Sequence, residues 1–140
     1  HKLTRRKVVT ATDLEAAIWI GHARESMLSA DMKATLADLG VDQLNLVFES
    51  NSAGALLSIL RDSDYLSVLP LLSVAQRIAA GELAQLPVPQ TGRGRWTGII
   101  THADGGQSAA MIELKELLAK ELVAIVPLMD ELASLAKKRA

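Results

Sequence analysis

The side chains best suited to catalysis or metal binding are spread along this chain rather than clustered. The three histidines, His1, His22 and His102, are far apart, and we expect each to be solvated or hydrogen-bonded rather than a metal ligand. Asp62 and Asp64 form a D-x-D pair, but they fall in a short turn, where aspartate is favoured for turn formation. We therefore predict no metal site.

The motifs of common enzymes also give little support to catalysis. There is no cysteine, which excludes a thiol nucleophile, a thiolate metal site and a disulfide framework. The motifs G-x-S-x-G and H-E-x-x-H are absent. The segment GRGR, residues 92–95, follows no predicted strand and opens no helix, so it is interpreted as a solvated linker rather than a phosphate loop. We expect neither an enzyme nor a bound cofactor.

Two loops remain as candidate ligand sites, because each leads from a predicted strand into a predicted helix. In open α/β sheets, ligands bind at the carboxyl ends of the strands, where helix N-termini offer N–H donors. Asn51 or Ser52 is also expected to cap its helix, and capping is compatible with ligand contact. With Pro70, which ends the next predicted strand, the candidate ligand-binding residues are His22, Arg24, Ser26, Met27, Asn51, Ser52 and Pro70.

The predicted strands and helices that position these loops alternate along the chain. Strands are predicted at 17–20, 45–49, 65–70, about 82–88 and 96–102, with a short strand or extended entry at 4–9. Helices are predicted at about 11–16, 27–39, after residue 52, after residue 70, at 108–123 and from Pro127 onwards. Alternating strands and helices predict an α/β fold with a largely parallel sheet.

Apolar residues at helical spacing, together with one tryptophan, predict the core. The residues expected to face it are Trp19; Met32, Leu36 and Leu39; and Leu56, Ile59 and Leu60. Met111, Leu114, Leu118 and Leu122 fall on one face of the helix predicted at 108–123.

Length and composition limit the classes of protein to which this chain can belong. The chain has 140 residues, which suits one domain or a piece of a larger protein. The net charge of −1 argues against a nucleic-acid-binding surface, which is normally basic. No apolar run approaches the roughly 20 residues of a membrane span, and the first residues have no apolar signal-peptide region. Because the chain does not begin with Met, we expect it to be a fragment.

The order of these features is similar to that of a known family. VFESNSAGALLSILRDSDYLSVLP, residues 47–70, resembles the effector-binding domain of LysR-type transcriptional regulators. HKLTRRKVVTATDLEAAIWI resembles the entry into that family's second regulatory subdomain, and GELAQLPVP with RWTGIITHADGGQSAAMIELKELL resembles the exit. The resemblance covers about residues 1–123. Lys2 departs from the family's usual proline, and RDSD replaces a more glycine-rich turn.

The resemblance implies a periplasmic-binding-protein-like (type 2) fold, with a mostly parallel sheet flanked by helices. Residues 1–90 would form the second regulatory subdomain, residues 91–123 the returning strand and helix of the first, and residues 124–140 a helical C-terminal extension. The helix-turn-helix, through which such regulators bind DNA, has no counterpart in this chain.

The resemblance also implies a function and its partners. A small effector, for which a small organic acid is our hypothesis, would bind between the two subdomains and control DNA binding by a cytoplasmic homo-oligomer. The alternative is one lobe of a solute-binding transport protein, because that class shares the fold. An upstream helix-turn-helix would favour the regulator, and a signal peptide would favour transport.

Overall fold

The computed structural model describes residues 1–89, 97–102 and 108–139, with side chains through residue 135 in the last segment. Helices and strands alternate through most of this part of the chain. After a 3-10 turn at Lys2–Arg5, the elements are α1 (Ala11–Glu15), β1 (Trp19–His22), α2 (Met27–Asp38), β2 (Leu46–Ser50), α3 (Ala53–Arg61), α4 (Leu71–Ala79) and α5 (Ala109–Arg139).

The sheet is parallel, as the alternation predicts. β1 pairs with β2 from Trp19 opposite Leu46 to His22 opposite Ser50. On the other side of β1, Leu66 forms a parallel bridge with Trp19. β1 therefore lies between β2 and the segment around Leu66, and all three run in the same direction. The expected α/β class is confirmed.

Side-chain caps explain where the helices begin. Thr10 and Asp13 form the expected capping box at the start of α1. Ser26 caps α2, and Ser52, rather than Asn51, caps α3. Gly40 follows α2 with a φ of 77°, a conformation that glycine adopts without a steric penalty.

The core lies mainly between β1 and α2. Trp19 is buried there with Leu14, Met32 and Leu36, and its indole N–H donates to the Leu14 carbonyl at 2.8 Å. A Cβ atom on Gly21 would lie 2.8 Å from the Met32 sulfur, so α2 packs directly onto the strand at this point. These contacts set the distance between the α2 N-terminus and the sheet.

The second side of the sheet is covered by α3. Leu56 on α3 and Ile20 on β1 are completely buried. Ile59 and Leu60, which were expected to be buried with Leu56, are only half-buried, as is Leu39 on α2. The predicted apolar stripe of α3 therefore faces the sheet, but the sheet is too narrow to bury all three of its side chains.

The sheet is smaller than the sequence predicts. The strand expected at 65–70 is reduced to the bridge at Leu66, and residues 82–88 and 97–102 contain no strand. The expected entry strand at 4–9 begins instead as the 3-10 turn. A strand needs a neighbouring strand for its backbone hydrogen bonds, and residues 97–102 are all exposed. Trp96 and the linker at 90–95 lie outside the described residues.

The C-terminal helices also differ from the prediction. One helix, α5, replaces the two expected at 108–123 and from Pro127, and Pro127 lies inside it. Strong helix formers near the proline, such as Leu122 and Ala124 before it and Met129 after it, favour continuation of the helix. α5 packs against α4, and Leu132 is buried. No helix in the described ranges is both long enough and apolar enough to span a lipid bilayer.

Candidate functional site

The strand-end edge, defined here as the loops that follow β1 and β2, brings most of the candidate residues together. The two strands end in register, with His22 opposite Ser50. The chain continues through Arg24 to Ser26 on one side and through Asn51 to Ser52 on the other. The order of the strands thus places two helix N-termini side by side at one edge of the sheet.

Both serines at this edge act as helix caps. The Ser26 hydroxyl accepts a hydrogen bond from the Ser29 N–H at 3.1 Å, and the Ser52 hydroxyl accepts one from the Ala55 N–H at 3.2 Å. A cap of this kind satisfies only part of the first helical turn, because the earlier N–H groups have no intrahelical partner. The remaining N–H groups of α2 and α3 are suited to bind an anion.

An ion pair joins the loop after β1 to the carboxyl end of β2. The Arg24 Nε donates to the Glu49 Oε2 at 3.0 Å. The Arg24 side chain is 80% exposed and that of Glu49 only 24%. The second carboxylate oxygen of Glu49, Oε1, is buried and has no hydrogen-bond partner among the described residues. The positive charge of Arg24 is therefore already balanced by an acidic side chain that retains an unused acceptor.

Glu49 is the residue that sequence reasoning missed. It was assigned only to a strand, as the last residue of NLVFE. The available signal was its place at the carboxyl end of that strand, where ligands bind in open sheets. An acidic side chain there faces the same loops as Arg24, but the sequence does not give the register that sets Glu49 opposite Gly21.

The other candidate residues occupy different environments. His22 is buried at the end of β1. Asn51 is exposed and makes no side-chain hydrogen bond within the described part of the chain. Met27 is 77% exposed. Pro70 is the residue before α4 and follows the segment on the opposite side of β1, so it belongs to the same edge but not to the same pair of loops.

Metal-binding side chains do not converge in the part of the chain that the structure describes, where no group of three or more His, Cys, Asp or Glu residues is suitably placed. Asp62 of the D-x-D pair accepts two hydrogen bonds from Arg61, both at 2.8 Å. This hydrogen bonding lowers the pKa of the Asp62 carboxyl group. The His1 Nδ1 accepts a hydrogen bond from the Leu3 N–H as a local cap.

The comparison with protein families decides between the two interpretations of this fold. The model of the LysR substrate binding domain matches residues 1–123. The chain belongs to this family. No curated protein matches it, and no solved structure does. LysR substrate binding domains are periplasmic-binding-protein-like, effector-binding regulatory domains of transcription regulators rather than enzymes, and the parallel α/β sheet of this LysR domain agrees with that fold.

Proposed function

We propose that this LysR domain senses a small organic acid at the strand-end edge. The observation that carries the proposal is the presence at one edge of two capped helix N-termini, those of α2 and α3, with Arg24 in the loop that leads into α2. Helix N-termini and an arginine are complementary to a carboxylate in charge and in hydrogen-bonding geometry. Ser26, Ser52, Asn51 and Arg24 are the contacts we propose.

Glu49 gives this site a competing internal ligand. Its carboxylate already accepts a hydrogen bond from Arg24, so a carboxylate effector reaches the guanidinium by taking the place of Glu49. The exchange keeps Arg24 paired in both states. It also makes effector affinity depend on how firmly Glu49 holds the arginine, which selects against weak, non-specific anions.

The proposed consequence is a population shift in the full-length regulator. Residues 1–90 act as the second regulatory subdomain, residues 91–123 return to the first, and the effector binds between the two. A ligand that binds the closed arrangement more tightly than the open one favours closure. In a cytoplasmic homo-oligomer, closure then changes how the DNA-binding domains are presented.

The test uses the full-length regulator and a panel of small carboxylates. Ser26→Trp and Ser52→Trp place a bulky side chain at the two helix N-termini, and each should abolish effector-dependent transcription while leaving DNA binding in a gel-shift assay intact. Ser58→Trp, on the exposed face of α3, is the matched control and should respond like the wild type. A normal response in both edge variants would place the effector elsewhere.

A second variant addresses the ion pair. Glu49→Gln removes the charge that balances Arg24 but preserves the shape of the side chain. A carboxylate effector should then act at a lower concentration, because it no longer competes with an internal carboxylate. A higher required concentration would instead mean that Glu49 holds Arg24 in the position that the effector needs, rather than competing with the effector.

A further inference from the structure

Gly54 is a helical glycine at the strand-end edge. It is the second residue of α3 and is exposed. Glycine destabilises a helix relative to alanine, so a glycine within a helix usually serves either backbone conformation or close packing. A glycine that serves neither has a role outside the fold.

Neither conformation nor packing requires glycine at residue 54. In the described part of the chain, the glycines with a positive φ are Gly40 and Gly81, so the backbone at residue 54 suits any residue. The nearest side-chain atom that an added Cβ would meet among the described residues is the Ser52 Oγ, at 3.8 Å, an ordinary van der Waals distance. Alanine would therefore fit this backbone and would stabilise α3.

The first turn of α3 leaves two backbone donors open. The Ser52 N–H donates to the Ser50 hydroxyl at 3.0 Å, and the Ala55 N–H donates to the Ser52 hydroxyl at 3.2 Å. The N–H groups between them, those of Ala53 and Gly54, have no partner in the described part of the chain, as expected for the first two residues of a helix. Both are available to a ligand that lies in front of the helix.

A side chain at residue 54 would reduce access to these donors. In an α-helix every Cα–Cβ bond is tilted toward the helix N-terminus, so a Cβ atom here would lie on the side from which a ligand approaches. Glycine instead permits close approach of a ligand to the backbone. The corresponding second residue of α2 is Leu28, whose side chain is half-buried. Of these two helix N-termini, that of α3 is therefore the more accessible.

We infer that Gly54 is a specificity-determining residue of the effector site, because it admits a carboxylate to the Ala53 and Gly54 N–H groups. This inference rests on the proposed function. It assigns the carboxylate of the effector to the start of α3 rather than to the start of α2. Two adjacent N–H groups can each donate to one oxygen of the same carboxylate, and the α3 dipole favours its negative charge.

The experiment titrates isotope-labelled residues 1–140 with sodium acetate and follows the backbone amides by NMR. In the wild type, the amide signals of Ala53 and Gly54 should shift and reach saturation, whereas sodium chloride at the same concentration should not shift them. Gly54→Leu should weaken acetate binding, followed at Ala53, by about tenfold or more, the factor that corresponds to one hydrogen bond to a charged group. Gly54→Ala should weaken it by a smaller factor.

Gly54→Ala also separates ligand access from a structural role. It should raise the Tm, because alanine favours the helix, and it should weaken acetate binding at the same time. Ser58→Ala is the matched control, because it also favours α3 at an exposed residue but lies away from the helix N-terminus. It should raise the Tm and bind acetate like the wild type.

Three results would overturn the inference. They are unchanged acetate binding in Gly54→Leu, saturable shifts at the start of α2 in place of the start of α3, and saturable shifts at neither helix. The proposed function is tested separately, because it fails only if Ser26→Trp and Ser52→Trp both respond normally to the effector.

Discussion

The Asp13 carboxylate is hydrogen-bonded by two residues at the start of α1, Thr10 and Arg6. Its carboxylate accepts hydrogen bonds from the Thr10 N–H at 3.1 Å and the Thr10 hydroxyl at 2.9 Å, and from Arg6 at 2.7 and 2.8 Å. These bonds favour the ionised form, the one to the Thr10 backbone most strongly, and they lower the pKa of Asp13. The start of α1 is therefore stabilised by a charge that acid can remove.

The stabilisation by Asp13 should depend on pH in a defined direction. Because its folded-state pKa is lowered, the contribution is fully present above the ordinary carboxyl pKa of about 3.9 and is lost as the pH falls through the lower folded value. Asp13→Asn should lower the Tm at pH 7, and this difference from the wild type should shrink at pH 3 and below. The matched variant Asp42→Asn should show no such trend. A constant difference for Asp13→Asn would contradict the assignment.

At the scale of elements, local signals were sufficient for most helices and insufficient for the edges of the sheet. The capping serines and Gly40 act within a few residues, so the start and end of α2 and the start of α3 could be predicted from the sequence. The strands at 65–70 and 97–102 depend on partners distant in the chain, and sequence periodicity does not reveal whether a partner is present. Likewise, the loops of the candidate site followed from the alternation, but the Arg24–Glu49 pair depends on strand register.

The buried side of α3 gives a direct stability prediction. Leu56 is completely buried, whereas Leu57 on the same helix is only partly so. Leu56→Ala should lower the free energy of unfolding by about 2–5 kcal/mol, the usual range for a leucine in a packed core. Urea unfolding should show a clearly smaller loss for Leu57→Ala. Equal losses would mean that α3 presents a different side to the sheet.

Pro127 gives a second prediction at this scale. Inside α5 it cannot donate the backbone hydrogen bond of a normal helical residue, and its own side chain is solvent-exposed. Pro127→Ala should therefore increase helicity in far-UV circular dichroism and stabilise α5 by up to about 3 kcal/mol. Pro127→Gly, which restores the N–H but is a poor helix former, should give a smaller gain. A loss of stability in Pro127→Ala would show that α4 packs against a bent helix.

At the scale of the whole molecule, the two halves of α5 differ in how their apolar side chains are placed. The second half of α5 reaches the body of the domain through Leu132, but the first half leaves large apolar side chains in solvent. Those at least 43% exposed between residues 111 and 118 are Met111, Ile112, Leu114, Leu117 and Leu118. A continuous apolar patch of this kind favours association, and it is the surface through which we expect copies of this chain to meet.

Sedimentation velocity should detect this association. Residues 1–140 should form concentration-dependent oligomers, and Leu114→Lys with Leu118→Lys should shift them to monomers by placing two charges in the patch. Ala109→Lys with Ala119→Lys adds the same charge to α5 at small exposed residues and should leave the oligomers in place. A wild-type monomer at high concentration would contradict the prediction.

Sequence-specific DNA binding should be absent from residues 1–140. The net charge is −1, and tight binding to DNA depends on neutralising phosphates with basic side chains. A fluorescence titration with operator DNA at physiological salt should give no sequence-dependent binding by residues 1–140. Specific binding by the isolated chain would require a recognition surface that the charge distribution does not suggest.

The contact between Gly21 and Met32 has a genetic consequence. Any side chain at residue 21 would meet the Met32 sulfur, so the Met32 side chain, or α2 with it, would have to move. A screen for regulator variants with an altered response to inducer should thus recover substitutions of the buried Gly21, although residue 21 would not contact the inducer. Replacing Met32 with a smaller residue should suppress these Gly21 variants, because it makes room for the new side chain at residue 21.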